Sequence, residues 1–250
     1  MLILARLYVL EALRRREHLV TLFLACVLLM MPAYVNSFSL GPTEMERVAL
    51  DFGLTLIGYA LAMMAIYIGS QAVSGDIDRG TLYPILARPM ERGVYLAGKV
   101  LGILLVLCGS ALILGFCLMT SVAALTRFLD PLILLVALYY GLESTVLATC
   151  CLMFSTFTTP SVAGIFGVIC FFVGGLSQDF LSYFSSQPWS KPAAIMKSLI
   201  PNLELLRVKN LVVHSRPVSW SYLASSALYG LAWISLLWFG AARIFSRRDL

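Results

Sequence analysis

Charge is what this 250-residue sequence has least of. Asp, Glu, Lys and Arg together make up 12% of it, about half the ~25% of a soluble globular domain, while 60% is hydrophobic. That shortage excludes a soluble enzyme, a disordered tail and a nucleic-acid module. The 18 Lys and Arg against 13 Asp and Glu leave a net charge of +5, too thin for a nucleic-acid footprint. Histidine is scarcer still, with only His18 and His214, and neither lies near a cysteine in the sequence. The six cysteines form no CxxC pair; Cys26, Cys108, Cys117, Cys150, Cys151 and Cys170 all fall in apolar runs and read as small buried hydrophobes. Met30-Met31 and Met63-Met64 are adjacent pairs, whose side chains point to different faces of a helix, which suits packing rather than metal binding. No Ser-His-Asp set and no HExxH pattern is present, so the chain is not expected to be an enzyme, to hold a metal or to carry a catalytic residue. Internal repeats, low-complexity tracts and soluble domain-sized segments are also missing.

What is present is a set of long intervals without charge. Leu19 to Thr43, Phe52 to Gly75, Val100 to Thr126 and Pro217 to Ala242 carry none, and Pro131 to Gln178 carries only Glu143. A membrane-spanning helix needs about 20 apolar residues to cross about 30 Å of hydrocarbon. Four intervals hold one span each. The fifth is long enough for two and breaks at Ser155-Thr156-Phe157-Thr158-Thr159-Pro160-Ser161, a polar cluster ending in proline. The fold class is therefore an all-α polytopic membrane protein forming a single transmembrane domain, with six spans at about 19–38, 52–74, 100–122, 132–154, 162–178 and 220–242. Runs this long lack the alternation of barrel strands.

Lys and Arg set the orientation. With six spans, both termini share a side. That side collects 11 basic residues, among them Arg14, Arg15, Arg16, Arg88, Arg92 and Lys99. The other side collects 7, and five of these lie in one long connection from about Asp179 to Ser219. Both termini are expected in the cytoplasm. The N-terminus does not read as a cleavable signal, because Arg6 interrupts its first apolar stretch. Residues 1–18 read as an amphipathic helix in the interface, with Ile3, Leu7, Leu10 and Leu13 at helical spacing and Glu11 four residues before Arg15. The long connection at 179–219 reads as short helices in or dipping into the outer interface.

One nucleotide motif is nearly complete. Gly93-Val94-Tyr95-Leu96-Ala97-Gly98-Lys99 matches the first seven positions of a P-loop, but Val100 stands where Ser or Thr must ligand magnesium, and the segment runs straight into a span. Lys99 reads instead as an anchor at the inner leaflet. Gly98 and Gly102, four apart, allow close helix approach. Glu143, the one acidic residue in a span, falls near the middle of the fourth, about 16–18 Å of helix from either end. Either it is a buried carboxyl bonded to a hydroxyl on a neighbouring helix, or it lines the translocation path or a subunit interface.

The segment from Gly75 to Arg92 is acidic at its start and basic at its end. Asp76 and Asp78 suit a helix N-terminus, Leu82, Ile85 and Leu86 share one face of a two-turn helix, and Pro89 stops it. With Gly80, Thr81, Arg92, Gly98, Lys99 and Gly102, these residues form the pattern "acidic–x–acidic–x–Gly-Thr-Leu … Leu–x–x–Pro–x–x–Arg … Gly-Lys–x–x–Gly". It resembles the permease subunits of type-2 ATP-binding-cassette transporters, especially the small permeases of nitrous-oxide-reductase maturation and sodium-extrusion systems. Ile200-Pro201-Asn202 and the tail Phe245-Ser246-Arg247-Arg248-Asp249 are similar to that family as well. The resemblance implies a coupling helix that docks on a separate soluble ATPase. Asp76, Asp78, Arg79, Gly80, Thr81, Leu82, Ile85, Leu86, Pro89 and Arg92 would form the coupling segment.

It implies also a second permease chain, identical or not, and location among the lipids of the bacterial cytoplasmic (inner) membrane. ATP and Mg would be bound by the ATPase, with no cofactor in this chain, and the direction would be export. Two other classes remain open: an accessory scaffold or maturation protein without transport activity, and an ion-coupled secondary transporter. The second predicts several charges near the midplane, where only Glu143 qualifies. The substrate is not legible, since no charge ring, aromatic cage or metal-ligand set is seen to converge on the spans.

Overall fold

The structure is a computed structural model that describes residues 8, 17–36, 41–78, 80, 92–127, 129–175, 201–209 and 220–247. These form α1 (Glu17–Asn36), α2 (Pro42–Gln71), the short α3 (Ser74–Asp78), α4 (Arg92–Thr126), α5 (Leu132–Ser155), α6 (Pro160–Gly175), a 3-10 turn η1 (Leu203–Leu206) and α7 (Trp220–Ser246). The described residues are predominantly helical and contain no strand. Four helices are long and apolar enough to cross a membrane: α2 from Glu44 onward, α4, α5 and α7. Thr21–Pro32 of α1 and all of α6 are shorter apolar helices.

Helix bounds differ from the expected spans. α2 starts at Pro42 rather than near 52, α4 at Arg92 rather than 100, and α7 runs to Ser246 rather than 242. Charge marks where hydrocarbon ends. It does not end a helix, whose hydrogen bonds continue wherever capping and propensity allow. At 35 residues α4 is about 52 Å long and overshoots the ~30 Å hydrocarbon layer. The break inside the long apolar interval is sharp: α5 ends at Ser155 and α6 opens on Pro160, a residue suited to the first helical position.

α5 is the hub, packed on α2, α4, α6 and α7. It is buried round much of its circumference, as a helix surrounded by others must be. Two of its small polar residues are satisfied within the helix: Thr145 and Thr149 donate to the carbonyls of Gly141 and Thr145 at 2.7 and 2.8 Å, and both are buried. Small residues also set the approach of its neighbours. A Cβ on Gly69 of α2 would run into the Ala148 carbonyl, and one on Gly141 would stand 3.1 Å from Cys108 Cα on α4. The apolar core falls into two clusters along the bundle, one around Ile68, Ile103 and Leu147, the other around Leu54, Leu114 and Ile133.

Candidate functional site

At one end of the bundle α2 stops, α3 turns off, α4 begins, and α5 and α7 end. The turn from α2 into α3 is held from two sides. Ser155 at the end of α5 accepts from the amides of Val73 and Ser74 at 3.2 and 2.9 Å, supplying the cap that α3 lacks locally. From α4, the Lys99 ammonium donates to the Ala72 carbonyl and to the Asp76 carboxylate. The Tyr95 hydroxyl donates to the same carboxylate at 2.6 Å. Tyr95 and Lys99 are four residues apart and so share a face of α4. The ammonium also lies 5.3 Å from the Tyr95 ring and 5.7 Å from that of Tyr8. Asp76 and Lys99 are each 7% exposed.

One expectation changes here: Lys99, expected as an anchor at the inner leaflet, is buried and paired with Asp76. A cation buried at the start of α4 needs a carboxylate, and the α2–α3 turn brings it one. Asp78 is exposed at the end of α3, and Gly80 follows at φ +68°, a conformation glycine adopts without strain. Arg92 reaches the other way: it donates to the Phe245 carbonyl at 3.0 Å and lies 5.6 Å over the Phe245 ring, closing the end of α7. That ring is itself fully buried and stacks on Tyr95 at 6.4 Å. Arg79, Thr81, Leu82, Ile85, Leu86 and Pro89 lie outside the described residues, as does most of the expected interfacial helix at 1–18. Gly102 does allow a close approach, but to the Tyr8 ring, which a Cβ would meet at 2.6 Å. Gly98 is buried on the same helix.

A second polar assembly surrounds Glu143. Its partner is neither a hydroxyl nor on a neighbouring span: Arg207 Nε donates to Glu143 Oε1 at 2.8 Å from just beyond η1. Local sequence positions this arginine. Asn202 Oδ1 accepts from the Glu204 amide at 3.1 Å and starts η1, and the Asn202 amide donates to the Tyr229 hydroxyl of α7 at 2.8 Å. Leu203 and Leu206 are buried, with Leu203 seated against Gly174 of α6. Thus the 201–209 segment is drawn into the bundle by its leucines and carries Arg207 with it. Burial lowers the affinity of the Arg207 guanidinium for its proton, but the Glu143 charge and hydrogen bond, with Tyr140 and Tyr59 nearby, together outweigh this and hold it above the ordinary arginine value. Two residues on, Lys209 Nζ donates to Thr55 Oγ1 and pairs with Asp51 of α2, both at 2.7 Å. The result is a cavity of about 270 Å³ lined by Thr55, Tyr59, Tyr140, Glu143, Arg207 and Lys209 among others. Charged groups thus do converge on the spans. Sequence reasoning missed Arg207 and Lys209 because it assigned the whole connection to the outer interface; the apolar spacing of Leu203 and Leu206 after the Asn202 cap was the signal.

Among the described residues no group of three or more His, Cys, Asp or Glu forms a metal site. The Cys150 and Cys170 sulfurs meet at 3.6 Å where α5 packs on α6. A family model described as ABC-2 family transporter protein matches residues 2–250. No curated protein matches the chain.

Proposed function

Because this chain belongs to the ABC-2 transporter family and is a multi-pass membrane permease, we propose that it exports a substrate with energy from ATP hydrolysed by a separate subunit docked on residues 75–92. The working unit pairs it with a second permease chain and two ATPase chains. It sits in the bacterial cytoplasmic membrane with six spans, α1, α2, α4, α5, α6 and α7, and with both ends inside. The observation that carries the reading is the anchored turn at Asp76. The connection that would meet the ATPase leaves the membrane domain through a buried ion pair tied to α4, α5 and α7 together. A push on the connection is then delivered to several helices instead of one. Export is the direction the sequence resemblance implies, and the excess of basic residues beside the connection supports its cytoplasmic side.

Apolar anchors carry most of an interface's energy, whereas exposed ion pairs contribute about 0–1 kcal/mol. Leu82→Asp and Leu86→Asp are therefore expected to release the ATPase in pull-downs while the chain stays inserted. Full complex and full ATPase stimulation with both variants would remove the coupling role. For topology, single cysteines at Ser39, Phe128 and Ser186 in a cysteine-free background should label from outside intact cells. Those at Ala87 and Ser246 should label only after permeabilisation. Outside labelling at position 87 would invert the orientation.

A further inference from the structure

The break between α2 and α3 has no cause in its own sequence. Gln71-Ala72-Val73-Ser74 holds neither proline nor glycine, and Ala72 keeps helical dihedrals at φ −61° and ψ −41°. An uninterrupted α2 would send the Val73 and Ser74 amides back to the carbonyls of Gly69 and Ser70. Instead the Ala72 amide takes Gly69 at 3.3 Å, and the Ser74 hydroxyl takes Ser70 at 2.8 Å. Both amides turn to Ser155 of α5. The bend is therefore imposed from outside, by Ser155 on one flank and Lys99 on the other.

The protons around Ser155 have one arrangement. A hydroxyl oxygen has two lone pairs, and the two amides fill both. The Ser74 hydroxyl spends its proton on the Ser70 carbonyl. The 2.9 Å contact between the two hydroxyls is then donated by Ser155. Ser155 is fully buried, so alanine in its place leaves two amides without an acceptor.

The two flanks reach different parts of the bundle. Lys99 fixes the turn to α4. Ser155 is the last residue of α5, and the corner behind it has little slack. The Thr156 and Thr158 hydroxyls donate to the carbonyls of Met153 and Phe154 at 2.6 and 2.7 Å. The Phe154 ring stacks on Phe166 of α6 at 4.7 Å. α5 is gripped by α2, α4, α6 and α7, whereas α6 packs on α5, α2 and η1, so α6 yields before α5 does. With α2 it walls an open groove of about 510 Å³.

We propose that Ser155 is a positioning residue for energy coupling, which passes displacement of the α2–α3 turn to the α5–α6 corner and so to α6. This role rests on the reading that an ATPase docks on residues 75–92. Lys99 keeps the turn in place; Ser155 makes its movement felt at α6.

The test uses the full chain with the ATPase that its unmodified form retains in the pull-down. One titration reads two quantities: the ATPase concentration at half-saturation and the maximal chain-stimulated rate of ATP hydrolysis. Ser155→Ala is expected to leave the first within about twofold and to lower the second about tenfold, the scale of one lost hydrogen bond between buried groups. Ser155→Cys keeps the size of the side chain with a weaker acceptor and should fall between, and it carries the test if the alanine variant inserts poorly. Thr149→Val is the control. It removes a buried hydroxyl of α5 that bonds within its own helix, and it should change neither quantity.

Hydrogen–deuterium exchange on the chain alone reads the tie itself. With Lys99 still holding the bend, the Val73 and Ser74 amides should exchange about tenfold faster in Ser155→Ala. Ser74→Ala keeps both amides on Ser155 and should speed them less.

Full stimulation by Ser155→Ala would overturn the proposal. So would an equal loss in Thr149→Val, or amides that exchange faster in Ser74→Ala than in Ser155→Ala. A raised half-saturation concentration at an unchanged maximal rate would place Ser155 in docking and not in coupling. The two levels separate cleanly. An unmodified chain that stimulates no ATPase removes the docking reading and this role with it, whereas Ser155→Ala matching an unmodified chain that does stimulate removes this role alone.

Discussion

Lys99→Met is expected to destabilise the folded chain in detergent by about 3–5 kcal/mol, the scale on which one partner of a buried ion pair is missed. The size follows from burial. The Lys99 and Asp76 side chains are 9% and 10% exposed, so water does little to screen either charge once the other is gone. Lys99 also serves the Ala72 carbonyl, which would lose a donor in the same variant. Asp76→Leu alone should cost a similar amount, because it removes the carboxylate that accepts from both the ammonium and the Tyr95 hydroxyl. The double variant Asp76→Leu with Lys99→Met should recover most of the loss, since a matched apolar pair in place of a buried ion pair is often neutral. A double-mutant cycle on thermal or denaturant unfolding measures the coupling. Lys99→Met within about 1 kcal/mol of the unmodified chain would show that this pair does not hold the turn.

Arg207→Leu is expected to cost more than Glu143→Gln. The two partners are buried unequally: the Glu143 side chain is 8% exposed and that of Arg207 33%. Removing the arginine leaves a carboxyl near the middle of α5 without its counter-ion, at a cost of about 2.5–3.5 kcal/mol by the insertion scale for charge at a span centre. Removing the acid's charge is gentler. The glutamine carbonyl still accepts from Arg207 Nε, and the guanidinium keeps its access to water, so about 1 kcal/mol or less is lost. Arg207→Lys should recover only part, because an ammonium cannot reproduce the Nε geometry. Melting temperatures of the three variants in one detergent read the order. Equal losses for Arg207→Leu and Glu143→Gln would mean that Glu143 is held by something other than this pair.

The element order was legible because membrane hydrocarbon imposes its own length scale. Charge-free intervals mark apolar helices, and Pro160 after the Ser155–Thr159 cluster marks where α5 gives way to α6. Membership of the transporter family was legible from the Gly-Thr-Leu and Pro-x-x-Arg spacing before α4, which resembles that of the family's permeases. Where helices end was less legible: α2 carries Glu44, Glu46, Arg47 and Asp51 within its first turns, and nothing in helix geometry forbids that.

What only the tertiary structure decided was which charge meets which. Asp76 and Lys99 are 23 residues apart, and Glu143 and Arg207 are 64 apart. Each of these four residues has an ordinary local reading: an acid near a helix start, a base at a leaflet edge, a lone acid in a span, a base in an outer loop. Pairing depends on how α2, α4 and α5 cross, and on how far the two leucines of η1 draw their segment inward. Those distances are set by packing at residues such as Gly69 and Gly141, where the absence of a side chain fixes how closely two helices approach. The sequence by itself therefore determined a helical membrane permease and singled out the segment that leads from α3 to α4. The tertiary structure decided that two of its buried charges hold that segment in place and that two others line a cavity, because a low-dielectric interior leaves a buried charge no choice but to find its partner.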